Sequence, residues 1–114
     1  MTVNIWNRPI AITDVETTGL IPGYHEIIEL GLVLVNQPEL DIITTFSAKV
    51  KPDHIHRLSP KAQEINGYND EEWQDALELD DAMQLYNILT ADAMFAAHNV
   101  VFDWAFIETA FKQC

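Results

Sequence analysis

Cysteine is almost missing from this sequence. Cys114 is the only one, so no internal disulfide can form, and the chain suits a reducing compartment. Basic residues are nearly as scarce. Six Lys and Arg stand against 18 Asp and Glu, a formal net charge of −12. That excludes recognition of nucleic acid through a broad basic surface, because phosphates are normally met by Lys and Arg. Any such contact must be local or assisted by bound cations. Long apolar runs are also lacking: stretches such as Leu30–Val35 fall far short of a bilayer span, so no membrane is expected. Met1–Ile10 has no basic segment ahead of a long apolar stretch, and no signal peptide is expected. What remains is ordinary globular composition, 48% hydrophobic and 21% charged, too apolar for a disordered tail. The 114 residues suit one domain, 1–114, and the expected location is the cytoplasm.

Pattern predicts three strands first. Ile10–Glu16 reads as a buried strand opened by Pro9, Glu26–Asn36 as a second and Asp41–Val50 as a third, together an antiparallel meander. Thr17–Gly23 is a loop, and Gln37-Pro38-Glu39 is a turn. Lys51–Leu58 is a polar connection. Ser59-Pro60 reads as an N-cap and first helical position, with the helix ending near Asn66-Gly67. Asn69 or Asp70 is predicted to cap a further helix through Trp73, and Asp80 or Asp81 one through Leu89. Ala93–Ala97 is a short apolar strand, and Val100–Lys112 repeats apolar residues at helical spacing. The seven carboxylates from Asp70 to Asp81 read as a solvated helical face favoured by the helix dipole, with a protein- or cation-binding patch as the other reading. Trp73 is read as the anchor of that face. Phe102, Trp104, Phe106 and Phe111 are read as core.

The informative acids occupy apolar positions. Strand side chains alternate, so Ile10, Ile12, Asp14 and Glu16 share one face, and the two carboxylates end it. On the last helix the neighbours of Asp103 one turn away are Asn99, Val100, Phe106 and Ile107. Asp103 therefore belongs to the apolar stripe. Glu108 and Lys112 represent the wet side. Two like charges about 4 Å apart repel by roughly 4 kcal/mol at an effective dielectric near 20, and the chain has few bases to offset this. Divalent cations are the simplest remedy, since hard ions such as Mg²⁺ and Mn²⁺ take oxygen ligands. A pair of them forms a clamp for phosphoryl displacement.

Asp14-Val15-Glu16-Thr17-Thr18-Gly19-Leu20 resembles the first motif of the DnaQ-like, or DEDD, 3′–5′ exonucleases. Ala97-His98-Asn99-Val100-Val101-Phe102-Asp103 resembles their second. Between them Ile27–Gly31 is similar to the family's second strand, and Lys51-Pro52 and Ile65-Asn66-Gly67 stand in the order of its connection and short helix. The resemblance implies a ribonuclease H-like α/β fold, a mixed sheet of three antiparallel strands followed by helices, a strand and a helix. It implies that Asp14, Glu16 and Asp103 are catalytic and hold two divalent ions, Mg²⁺ or Mn²⁺, and that the product is a nucleoside 5′-monophosphate. Backbone N–H groups at Thr17 and Thr18 would meet the terminal nucleotide, and Gly19 would permit its close approach. Leu20 and Ile65 would wedge or stack against bases, or else are plain core. Asn99 would contact substrate or a metal-bound water, or else caps the last helix. His98 is not the base in the family pattern. His25, His54 and His56 lie in predicted loops, with no partner evident from the sequence.

The family pattern continues with a third motif, an Asp preceded by a His or Tyr base. No such pattern follows Asp103 in the remaining eleven residues. The expectation is an incomplete exonuclease domain acting on the 3′ end of single-stranded nucleic acid. It would be completed by further sequence, by a partner such as a polymerase subunit or second chain, or by dimerisation. Thr17-Thr18 points to the DNA-proofreading relatives. An oligoribonuclease-like activity and a non-catalytic module binding metal or protein are the alternatives.

Overall fold

Four strands form one mixed sheet in the order β3–β2–β1–β4 in the computed structural model, which describes residues 5–114. Met1–Asn4, where the segment read for a signal peptide begins, lie outside the described residues. Strands β1 (Ile10–Thr17), β2 (Ile27–Val35) and β3 (Ile42–Lys49) run antiparallel in turn, and β4 (Met94–Ala96) lies parallel to β1. Helices α1 (Pro60–Asn66), α2 (Leu79–Leu89) and α3 (Val100–Gln113) complete the chain. None of the helices among the described residues is long and apolar enough to cross a membrane.

The core lies on one face of the sheet. Ala11 and Val15 of β1 and Leu30, Leu32 and Leu34 of β2 pack under Ala82, Met83 and Tyr86 of α2 and Phe106, Ile107 and Ala110 of α3. Thr13 shares this face, and its hydroxyl is satisfied by the Tyr86 hydroxyl at 2.7 Å. Ile10, Ile12, Asp14 and Glu16 do share a face, as alternation requires, but the helices cover the opposite one. Ile12 is 45% exposed, Asp14 is exposed and Glu16 half-buried. The expectation of a strand buried with its carboxylates is corrected accordingly. Both faces of β1 begin with apolar residues, so periodicity alone could not choose between them.

Local signals specify α1 well. The Ser59 hydroxyl accepts the Ala62 N–H at 3.0 Å, Pro60 opens the helix, and Gly67 ends it in the left-handed region at φ 70. The helix predicted through Trp73 does not form; residues 70–75 are turns. Asn69 does cap, its Oδ1 accepting the Glu72 N–H at 2.8 Å. Propagation then stops because Leu77 bridges the end of β3, donating to Lys49 O at 2.9 Å and accepting from Lys51 N–H at 2.8 Å. The acidic run is therefore a turn followed by the first turn of α2. Glu78 is the N-cap of α2, and Asp80 and Asp81 lie inside the helix.

Candidate active site

The start of α3 meets the far end of β1. Asp103 is 5% exposed, and its Oδ1 accepts the N–H of Val15 at 3.2 Å. Val15 separates Asp14 from Glu16, so this bond draws the helix carboxylate to the strand pair across 88 positions of sequence. The charges feel one another. Burial pushes the Glu16 carboxyl above its ordinary range, and Asp14, Glu29 and Asp103 push it further. Burial also raises Asp103, with the Asp14 charge adding, against the lowering effect of the Val15 N–H. Glu29 is a member of this cluster that sequence reasoning missed. It stands directly opposite Glu16 in the β1–β2 register, and Lys49 offsets it in part at 3.8 Å. Register is a non-local property, so the Ile27-Ile28-Glu29 string could be read as a strand but not as a neighbour of the site.

The donors suit a hard divalent cation, since every charged atom in the cluster is a carboxylate oxygen. Among the described residues no three side chains of His, Cys, Asp and Glu close on one ion position. That is compatible with Mg²⁺, which usually takes one or two carboxylates and fills its remaining positions with water and substrate phosphate.

Beside Glu16 opens a cavity of about 300 Å³, walled by Leu20 and Thr17 on one side, Lys61 and Ile65 on another and Phe102 on a third. Leu20 is 78% and Ile65 72% exposed, which removes the core reading for both. Phe102 packs against the core, its ring centre 5.0 Å from that of Phe106, and also lines the cavity; Trp104 and Phe111 are partly exposed, and only Phe106 of the four aromatics is fully buried. Thr17 and Thr18 are buried, and their hydroxyls are engaged with Gly19 O at 2.6 Å and with Glu26 N–H at 2.9 Å. The Thr18 N–H already donates to Glu26 O at 2.9 Å, so it is not free to meet a nucleotide as expected. Helix α1 is tied to this strand end by Asn66 Nδ2 on Thr17 O and by Ser59 N–H on Thr18 O, both 2.9 Å. Asn99 is exposed and caps α3, accepting the Phe102 N–H at 3.3 Å. His98 is exposed. His54 pairs with Glu26 at 3.6 Å and meets His56 edge to face.

Gly19 lines the cavity, but its missing side chain is filled from behind. A Cβ there would lie 2.3 Å from the imidazole of His25, whose Nδ1 accepts the Ile21 N–H at 3.0 Å. The ring cannot swing away without losing that bond. Gly19→Ala is therefore expected to cost about 1–3 kcal/mol by overpacking. His25→Ala in the same protein should recover most of the loss. Urea denaturation of the double-mutant cycle checks this, and additive costs would sink it.

A family model described as Exonuclease, RNase_T, matches residues 11–114. DNA polymerase III PolC-type of Staphylococcus epidermidis is 34% identical over 110 residues, 96% of this chain and 7% of that protein. The Staphylococcus aureus protein of the same name is 36% identical over 102 residues, again 7% of its length. The chain thus spans a small part of these relatives. Among solved structures, E. coli Exonuclease I with a dT13 oligonucleotide superposes with a TM-score of 0.83 at 18% identity, over 93% of this chain and 24% of that one. A complex described as ExoI/SSB-Ct superposes equally well, over 94% and 24%. At that identity the likeness speaks for the fold, a ribonuclease H-like α/β domain. With nearly all of the sequence inside the family model, the chain belongs to the RNase_T exonuclease family, the DnaQ-like exonucleases.

Proposed function

We propose that the domain is a metal-dependent 3′–5′ exonuclease that releases nucleoside 5′-monophosphates from single-stranded DNA. The observation that carries this reading is the hydrogen bond from Val15 N–H to Asp103, which brings a buried helix carboxylate to the Asp14–Glu16 pair beside an open cavity. Asp14, Glu16 and Asp103 would hold one or two divalent ions, Mg²⁺ or Mn²⁺. Bound there, such ions supply charge stabilisation to the phosphoryl transition state and acidify water. The chain's own residues supply the rest. Leu20 and Ile65 present exposed apolar surface to a base, Phe102 closes the cavity, and Thr17 and Gly19 shape its wall. Stacking and wedging of this kind are tolerant of base sequence, as removal of successive nucleotides requires. The relatives named DNA polymerase III favour DNA over RNA and a replicative partner, either a polymerase segment or a second chain.

One observation favours a second reading, a non-catalytic module that binds metal or protein. Among the described residues no three side chains of His, Cys, Asp and Glu close on one ion position. A gel assay on a 5′-labelled single-stranded oligonucleotide separates the two. The chain is expected to give a descending ladder in Mn²⁺ that EDTA and Asp14→Ala each abolish. Folded protein that gives no ladder would overturn catalysis by this chain and leave the binding module.

A further inference from the structure

We infer that Lys61 is the residue through which this acidic domain grips the phosphate backbone of the strand entering its cavity. The inference rests on the exonuclease reading and names a binding residue for that site. Only six basic residues are available against 18 acidic ones, and five of the six are already engaged. Arg8 donates to the carbonyls of Asp92 and Ala93. Lys49 pairs with Glu29, Lys51 with Glu78 and Lys112 with Glu108. Arg57 donates to Tyr24 O and stacks over the Tyr24 ring. Among the described Lys and Arg residues, the side chain of Lys61 alone makes no hydrogen bond, ion pair or ring contact. It nevertheless lines the same cavity as Glu16, Leu20 and Ile65 and is not drawn into an ion pair with Glu16.

The placement is firm at the backbone and free at the tip. Helix α1 is pinned to the end of β1 by the Asn66 and Ser59 bonds to Thr17 O and Thr18 O, so the Cα of Lys61 keeps its relation to the carboxylates. Its side chain is exposed. A flexible ammonium with three donors suits a phosphate whose direction changes as the strand advances, where the fixed fork of Arg would not. The scissile phosphate belongs at the carboxylates, so Lys61 meets a neighbouring one. A chain of net charge −12 repels a polyanion at long range, and a single unpaired cation at the mouth gives the strand one attractive point of entry.

The test is binding of a 5′-fluorescein oligo-dT of about 12 nucleotides, its 3′ linkages phosphorothioate, measured by anisotropy in Mn²⁺ from about 50 to 200 mM salt. Loss of one phosphate contact lowers the slope of log K against log salt by about 0.7 for a single strand. Lys61→Ala is expected to show that drop and about two- to fivefold weaker binding at the low-salt end, as an exposed charge contact gives. The ratio should be the same for oligo-dA, because the backbone carries no base information. Lys61→Arg should keep the slope, and Lys112→Ala, its charge paired on α3, should behave as wild type. If wild type binds and Lys61→Ala leaves both Kd and slope unchanged, Lys61 is overturned and the exonuclease reading stands. If folded wild type binds no oligonucleotide in Mn²⁺, that reading falls and Lys61 with it.

Discussion

Asp103→Asn is expected to remove nuclease activity while leaving the metal-free fold as stable as wild type or more so. The two effects separate because Asp103 does two things. Its Oδ1 accepts the buried Val15 N–H, and an Asn amide oxygen can accept that bond in the same place. Its charge is held in a buried position among other carboxylates, which disfavours folding, and Asn removes it. On the proposed function the same charge holds a cation that contributes several kcal/mol to the reaction. At 1.36 kcal/mol per decade, its loss is on the order of 10³-fold in rate. Asp103→Ala should lose the activity equally but also leave the Val15 N–H without a partner, at about 1–3 kcal/mol. Urea denaturation in EDTA at neutral pH, beside the gel assay, tests both halves. Full activity in Asp103→Asn would remove Asp103 from the metal-holding set. Equal stability of the Ala and Asn variants would remove its structural role.

The raised pKa values of Glu16 and Asp103 carry a sign that can be checked. Each binds its proton more tightly folded than unfolded, so each contributes stability at pH below its unfolded value. That contribution is lost as pH rises through the raised folded value. Without metal, this pair therefore makes the domain less stable at neutral pH than in the acid range. A divalent cation reverses the trend, because it binds the charged form that neutral pH supplies. Mn²⁺ should raise the Tm by more at neutral pH than near about pH 5, and Asp103→Asn should shrink the difference. A Tm shift independent of pH would mean that the ion binds elsewhere.

Much of this was legible in the sequence where the signals were local. Ser59, Pro60 and Gly67 fixed α1 through caps and a left-handed turn, and the strands and the antiparallel meander of the first three followed from composition and punctuation. Asp103 could be placed in the apolar stripe because helical spacing is a short-range rule. What the sequence did not disclose depends on contacts distant in the chain. Which face of β1 the helices cover is decided by α2 and α3, so Asp14 turned out exposed and Ala11 buried. Glu29 joined the carboxylates through strand register. The Thr18 N–H was taken by Glu26 O, a partner eight positions on. The helix expected through Trp73 had its cap and its acidic first turn, and lost to a two-bond bridge with β3.

That same Trp73 carries the largest expected loss of stability. It is 4% exposed, its Nε1 donates to Ile28 O at 2.8 Å, the Tyr68 ring packs against it, and the Lys49 ammonium stands 4.5 Å from its ring centre. Trp73→Ala is expected to cost about 3–5 kcal/mol, a large share of the roughly 5–15 kcal/mol that holds a domain together. Trp73→Phe keeps most of the apolar area and removes one of two donors to the Ile28 carbonyl, which still accepts the Val50 N–H at 2.8 Å, and should cost about 0.5–1.5 kcal/mol. Urea midpoints at constant m-value give the order, and a Phe variant as damaged as Ala would shift the burden from packing to the single hydrogen bond. The anchor also bears on the site. Lys49 is held between the Trp73 ring and Glu29, and Glu29 is one of the charges that raise Glu16. Freeing Lys49 leaves Glu29 less neutralised, so Glu16 should be pushed higher still. In Trp73→Phe, where an aromatic platform remains, the acid limb of the pH–rate profile should stay in place, whereas Lys49→Ala should move it to higher pH.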